Sequence, residues 1–371
     1  MTQRILQLVA SSHGGAATHV RDLAFGLPRD RYHNIVAMPL DGGNVTPAMF
    51  TAQGIEFVPV AITNGFKWRE LRQLQALIQE KNIDLIHAHG ARAALFGRLA
   101  VLGLRPRPRL VFSIHGFATP FHPTPKRQLY LWLERTLQGV TDCTIAVAQA
   151  EADLFLSFGL TTPDKMRVIT YGIDVERFAS SPPDLTALRE ELRLGIGPIL
   201  LTVCRLNIPR DFKSLLIALQ RVQVEFPTVK LLIVGDGPQR AEVEQLITLL
   251  GLNETVQITG FRDDIPDLMA LADVYVLTSY GWEGYPISTM EAQAAGVPVV
   301  VTDAGGSKEA VLHEQTGLVV SKQNSDALAV ALWKFLGDRD MRQRFGKAGQ
   351  LRAREEFTVA QMVAKIRQVY G

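Results

Sequence analysis

Short apolar runs recur along this chain, and between them lie stretches whose apolar positions repeat every three or four residues. The first half reads as strands at Ile5–Val9, Asn34–Met38, Phe57–Val60, Leu85–Ala88, Leu110–Ser113, Thr144–Ala148 and Arg167–Ile169. Helical periodicity fills Thr18–Leu27, Trp68–Glu80 and Ala91–Leu102 between them. After Phe178 the chain turns polar and proline-rich over Ser180–Asp184, a linker signal. The pattern then restarts, with strands at Ile199–Val203, Lys230–Val234, Val256–Thr259, Val274–Leu277, Val299–Thr302 and Gly317–Val320. This alternation predicts an α/β protein of two successive Rossmann-like, doubly wound domains. Their carboxyl-end crevices are expected to face a central cleft, where such sheets hold ligands.

One stretch carries a chemical signal. Glu283 precedes a short predicted helix from Ile287 to Gly296 and Glu291 lies within it, with Pro286 at its start and Gly296 at its stop. A helix N-terminus flanked by Gly is suited to an anionic phosphate. Carboxylates beside it would repel phosphate and accept hydroxyls instead, a combination that fits a sugar nucleotide. The spacing alone equally describes two surface carboxylates on an ordinary helix.

At 371 residues, with 47% hydrophobic and 20% charged positions, the composition is that of a globular protein with room for two cores. Cys143 and Cys204 each lie in apolar runs without metal-ligand spacing, so no disulfide framework or zinc site is indicated. The first residues lack a signal-peptide core, and no run reaches the roughly 18 apolar residues of a membrane span. A cytoplasmic location is the expectation. Residues 1–180 hold 19 Lys/Arg against 14 Asp/Glu, whereas the remainder is acidic. A basic first half suits an anionic acceptor or membrane surface as well as it suits chance. Two turns after strands are glycine-rich, Ser12–Ala17 and Gly235–Pro238, yet neither is a full GxGxxG or Walker loop. They weigh against a dehydrogenase.

Several fragments in order then resemble one family, the retaining glycosyltransferases of family four (glycosyl transferases group 1), of GT-B fold. They are Gly14-Gly15 with Thr18–Ala24, Asp84–Gly90, His115-Gly116, Tyr171–Asp174, Arg205-Leu206, Val234–Pro238, Gly260–Pro266, Glu283–Ala292 and Gly305-Gly306. The resemblance runs along nearly the whole chain. It implies an N-terminal acceptor-binding domain (1–178), a nucleotide-sugar-binding domain (184–355), and a last helix (356–371) that returns to the first domain.

The resemblance also implies roles. Glu291 would bind the ribose hydroxyls, and Glu283 would face the transferred sugar. Backbone N–H groups of Gly284, Tyr285, Ile287 and Ser288, on either side of Pro286, would hold sugar and diphosphate. Arg205 and Arg210 would neutralise the leaving diphosphate. Gly14 and Gly15 would let the first loop approach it, with Gly235 and Gly237 also at the donor, and Phe261 and Arg262 would meet the base. His115 would sit by the reacting carbon on the acceptor side. The implied reaction moves a hexose, UDP-linked, from its nucleoside diphosphate to a hydroxyl of a glycan or lipid-linked acceptor in polysaccharide or glycolipid synthesis. No metal and no cofactor is expected, because fixed cations and a helix N-terminus stabilise the leaving group. No nucleic acid is expected as a partner. A sugar-nucleotide 2-epimerase and a non-catalytic sugar-nucleotide-binding protein are the alternatives.

One position departs from the pattern. The family usually carries Lys five residues after the Arg, and here Arg210 stands there, keeping charge while changing geometry. Lys213, one turn on, is the other candidate.

Seven histidines lie in the first half. His87 and His89 are expected on opposite faces of their strand, too far apart in direction to share a metal, with His87 structural and His89 a candidate for lining the cleft. His19 is expected to contact the surroundings of the first helix rather than take part in chemistry. The loop Phe117–Pro123, the helix after it with Lys126, Arg127, Tyr130 and Trp132, and the segment Phe66–Arg69 with Arg72 are candidates for acceptor binding. They are also candidates for peripheral contact with the cytoplasmic membrane face.

Overall fold

The computed structural model describes residues 2–62, 67–117, 124–180, 184–207 and 209–371. They form two compact units, Met1–Gly172 with Val359–Gly371, and Ile173–Thr358. Most of the proline-rich stretch after Ser180, and most of the loop after Phe117, lie outside the described residues, as does Phe66.

The first unit is built on seven strands: β1 (Gln3–Val9), β2 (Tyr32–Met38), β3 (Glu56–Pro59), β4 (Leu85–His89), β5 (Arg109–Ser113), β6 (Cys143–Ala146) and β7 (Met166–Val168). Their order is β3-β2-β1-β4-β5-β6-β7, and every pairing is parallel. Helices cover both faces, which is why these strands read as almost unbroken apolar runs. The order reverses between β1 and β4, so the loop after Val9 and the end of His89 flank the switch point at which open α/β sheets hold ligands. The helix Val359–Tyr370 seals one face. Met362, Val363, Ile366 and Tyr370 are buried against Ile5, Leu23, Leu85 and Val111. Each buried aliphatic side chain there contributes about 1.5–3 kcal/mol.

The second unit repeats the design with β8 (Ile199–Val203), β9 (Lys230–Val234), β10 (Val256–Gly260), β11 (Val274–Leu277), β12 (Val299–Thr302) and β13 (Gly317–Val320), in the order β10-β9-β8-β11-β12-β13. Its switch point lies between β8 and β11, and the loops leaving them carry Arg205–Arg210 and Ser279–Glu283. Asp211 caps the helix Phe212–Glu225 by accepting from Ser214 N at 3.0 Å, which fixes where the loop after β8 ends.

Candidate active site

In the second unit, the loops after β8 and β11 bring Arg210, Ser279 and Glu283 together. Arg210 and Ser279 form an isolated antiparallel bridge between the loops. The Arg210 guanidinium donates to Ser279 Oγ at 2.7 Å and forms an ion pair with Glu283 Oε2, while Ser279 Oγ also lies 3.0 Å from that oxygen. Both charged side chains are mostly buried. Burial pulls the guanidinium pKa down, and Glu283 with its neighbours outweighs that, leaving it above its ordinary value. Arg210 Nε is buried without a partner. Burial likewise pushes the nearby Cys204 thiol up to about 11, so this cysteine is an inert neighbour.

Glu283 is also held through its backbone. Its carbonyl accepts from Gly306 N at 2.9 Å, and a Cβ on Gly305 would lie 2.5 Å from that oxygen. The Gly305-Gly306 pair therefore exists to let a second loop close on Glu283. Beyond it, the helix Ile287–Ala294 starts after Pro286 with no side-chain cap. Ser288 in its first turn meets Tyr275 Oη at 2.6 Å. Tyr285 points inward, where its hydroxyl lies 3.3 Å from Glu309 O, so only its backbone is available to a ligand. Glu291 is half-buried on the same helix.

Arg205 and Lys213 are exposed and, among the described residues, make no ion pair. Gly235 and Gly237 serve packing: a Cβ on either would lie 2.0 Å from Cys204 O or 2.4 Å from Leu206 O. They let the loop carrying Arg205 lie directly on the turn after β9. Phe261 is 78% exposed. Arg262 is already occupied by Asp264, at 2.5 and 2.8 Å, and by Glu191 at 2.8 Å.

In the first unit, the ends of β1, β4 and β5 converge on a buried imidazole network. His87 and His89 do not take opposite faces: residues two apart in a strand share a face, and their ring centroids are 4.0 Å apart. His87 Nδ1 lies 2.7 Å from Tyr370 Oη, and its Nε2 lies 2.8 Å from Ser113 Oγ. Gln7 Nε2 donates to Tyr370 Oη at 3.1 Å, and Gln7 Oε1 meets His89 Nε2 at 2.9 Å. His89 Nδ1 is 2.9 Å from His115 Nε2, and His115 Nδ1 is 3.0 Å from Tyr171 Oη. Burial first, and then the neighbouring imidazoles, hold His87, His89 and His115 well below the ordinary histidine pKa. Burial lowers His19 to about 3. All four rings are neutral at pH 7.

His115 has φ +55°, left-handed backbone that a β-carbon makes costly, and Gly116 follows at φ +107°. The fully buried Glu151 carboxylate holds this turn, accepting from Gly116 N and from Val147 N, each at 2.8 Å. Gly14 and Gly15 open the helix Gly14–Gly26, and Gly14 N donates to Asn44 Oδ1 at 3.2 Å.

Glu151, Ser279, Tyr275, Gln7 and Tyr370 were not expected from the sequence. Gln7 was the most visible of them, as a polar residue inside the apolar run Ile5–Val9. Tyr370, second from the end of the chain, offered no signal of a partner some 280 residues away.

Two parallel doubly wound sheets of this kind, one after the other, define the GT-B class of glycosyltransferases. Residues 13–177 match the family described as Glycosyltransferase Family 4, and residues 186–352 match Glycosyl transferases group 1. The chain is 32% identical over 282 residues, 72% of each chain, to a GDP-mannose-dependent α-(1-6)-phosphatidylinositol monomannoside mannosyltransferase of Mycobacterium tuberculosis. It is 25% identical over 93% of its length, and 90% of the relative's, to an Escherichia coli UDP-Gal:α-D-GlcNAc-diphosphoundecaprenol α-1,3-galactosyltransferase. Among solved structures it is similar to Anabaena HepE in complex with UDP-glucose, with TM-score 0.86, 28% identity and 99% of both chains covered. The protein belongs to the group 1 glycosyltransferases.

Proposed function

We propose that the protein transfers a hexose from a UDP-sugar to a hydroxyl of a glycan or lipid-linked acceptor, with retention of anomeric configuration and without a divalent metal. The observation that carries this reading is the Arg210–Ser279–Glu283 cluster just ahead of the uncapped helix Ile287–Ala294, with the exposed Arg205 making no ion pair among the described residues. In the reaction the bond between the anomeric carbon and the diphosphate oxygen breaks, and the acceptor oxygen bonds to that carbon on the same face. The acceptor proton leaves on the phosphate. Negative charge therefore grows on the diphosphate, and Arg205, Arg210 and the helix N-terminus supply the compensating positive field. Glu291 accepts from the ribose hydroxyls and Glu283 from hydroxyls of the sugar. His115 serves the acceptor side, in the first unit.

The names of the E. coli relative and of HepE favour UDP as the carrier, whereas the mycobacterial relative names GDP-mannose. Both bacterial relatives name lipid-linked acceptors. A membrane-facing edge on the first unit is consistent with such an acceptor: Trp132 and Leu129 are 59% and 58% exposed on the helix Thr124–Leu137, beside Arg135. Because Glu283 already neutralises Arg210, a non-catalytic sugar-nucleotide-binding protein is the second reading. A panel of UDP- and GDP-sugars, incubated with the protein and EDTA with and without lipid extract, separates them. The proposal expects nucleoside diphosphate release from at least one donor; binding of UDP with no release from any donor supports the second reading.

A further inference from the structure

We propose that His19, His89 and His115 form a binding site for a zinc-class transition-metal ion inside the first unit. One ring nitrogen from each lies within 4.8 Å of the other two. His19 is buried, and both its ring nitrogens lack any hydrogen-bond partner. An imidazole left without partners in a protein interior costs about 1–3 kcal/mol per unsatisfied group, a penalty that binding a cation removes at the one nitrogen that ligates. Its ring faces the other two, with centroids 4.9 Å from His115 and 5.5 Å from His89.

The outer partners have the chemistry that metal-binding imidazoles need. Gln7 commits its amide nitrogen to Tyr370 Oη, so its Oε1 accepts from His89 Nε2 and leaves His89 Nδ1 as a bare lone pair. That lone pair points at His115 Nε2, 2.9 Å away. Without metal a proton on His115 Nε2 fills this contact. With metal the proton moves to His115 Nδ1 and is donated to Tyr171 Oη, 3.0 Å away, so no proton is gained or lost. A carbonyl behind one ligand and a hydroxyl behind another is the arrangement that fixes ligand tautomers in zinc sites.

Three imidazoles leave a fourth tetrahedral position open. Tetrahedral ligands at zinc–nitrogen distances near 2.05 Å stand about 3.3 Å apart, so side-chain rotation of His19 closes the set. An all-imidazole set without carboxylates favours zinc, cobalt or nickel over magnesium or calcium.

This inference does not rest on the transferase reading: transfer is assigned to the metal-free protein, in which His115 serves the acceptor, and the test here reads binding directly. Calorimetry of chelator-stripped protein with ZnCl2, and the visible absorption of its cobalt(II) form, should show one equivalent bound. His19→Leu should abolish this binding and, by removing two orphaned polar atoms, raise Tm in metal-free buffer. His115→Ala should also abolish it, and Gln7→Leu should weaken it by about 10–100-fold. Exposed His33→Ala and His313→Ala should leave it intact. If His19→Leu fails to fold by circular dichroism, His89→Gln decides. No stoichiometric binding, binding that survives His19→Leu and His115→Ala, or binding lost with His33→Ala would overturn the site.

Discussion

Arg210 and Glu283, 73 residues apart in sequence, form an ion pair across the loops that leave the two central strands of the second sheet. The resemblance assigned them to different ligand groups, diphosphate and sugar. The pair means that a diphosphate reaching Arg210 competes with Glu283 for the same guanidinium. Removing the competitor should strengthen nucleotide binding even as transfer is lost. Glu283→Gln is expected to bind UDP about tenfold more tightly, ~1.4 kcal/mol, by calorimetry. Unchanged or weaker UDP binding would show that Arg210 does not meet the phosphate.

Arg210 itself should matter at the transition state. Arg210→Ala is expected to lower kcat by about 10²–10³-fold, the range for losing one fixed donor to a developing anion. Arg210→Lys restores the charge without the fork and should recover part of that loss. Equal activity in all three proteins, measured by steady-state nucleoside diphosphate release, would assign the role to Arg205 and Lys213 instead.

The reading from sequence succeeded where periodicity speaks. In the second unit, five strands begin and end where the apolar runs do, and β10 differs only by Gly260. Strand ends in the first unit moved by one or two residues, as with Tyr32 joining β2 and Ala148 leaving β6. Charge pairing across distant loops has no periodicity, so the Arg210–Glu283 contact was invisible. The same holds for Glu151, which reads as an ordinary polar residue in a helix's first turn. Its contact with Val147 N is local, but the one with Gly116 N exists only because the loop after β5 folds over it. The expected opposite faces of His87 and His89 failed on strand geometry alone, since a separation of two returns a side chain to the same face.

Glu151 holds His115 from behind, so its loss should act through His115. Glu151→Gln places an amide NH2 against one of two N–H donors and is expected to cost about 1–3 kcal/mol in urea unfolding. Transfer should fall in kcat with little change in donor KM, because the contacts proposed for Arg210, Glu283 and Glu291 lie in the second unit. A rise in donor KM with kcat preserved would contradict this.

The neutral histidines tie stability to pH. Their folded pKa values lie below the unfolded value near 6.5, so the unfolded chain binds more protons as pH falls. Their contribution is intact above pH 6.5 and lost on acidification from there toward pH 3, the value near which His19 itself titrates. For His19 the loss is up to about 1.4 kcal/mol per pH unit over that window, and the other three histidines act in the same direction. Urea unfolding at pH 7.5 and 5.5 should show lower stability at the acid end, and His19→Leu should reduce the difference. Equal stability at both pH values would mean that these rings protonate in the folded protein.

The central claim is metal-independent transfer with retention, and the anomeric form of the first product tests it most directly. With UDP-glucose or UDP-galactose as donor, water as slow acceptor and EDTA present, proton NMR in the first minutes should show α-sugar and UDP appearing in equal amounts. Initial formation of the β-anomer, or release of UDP only when a divalent metal is restored, would contradict the account.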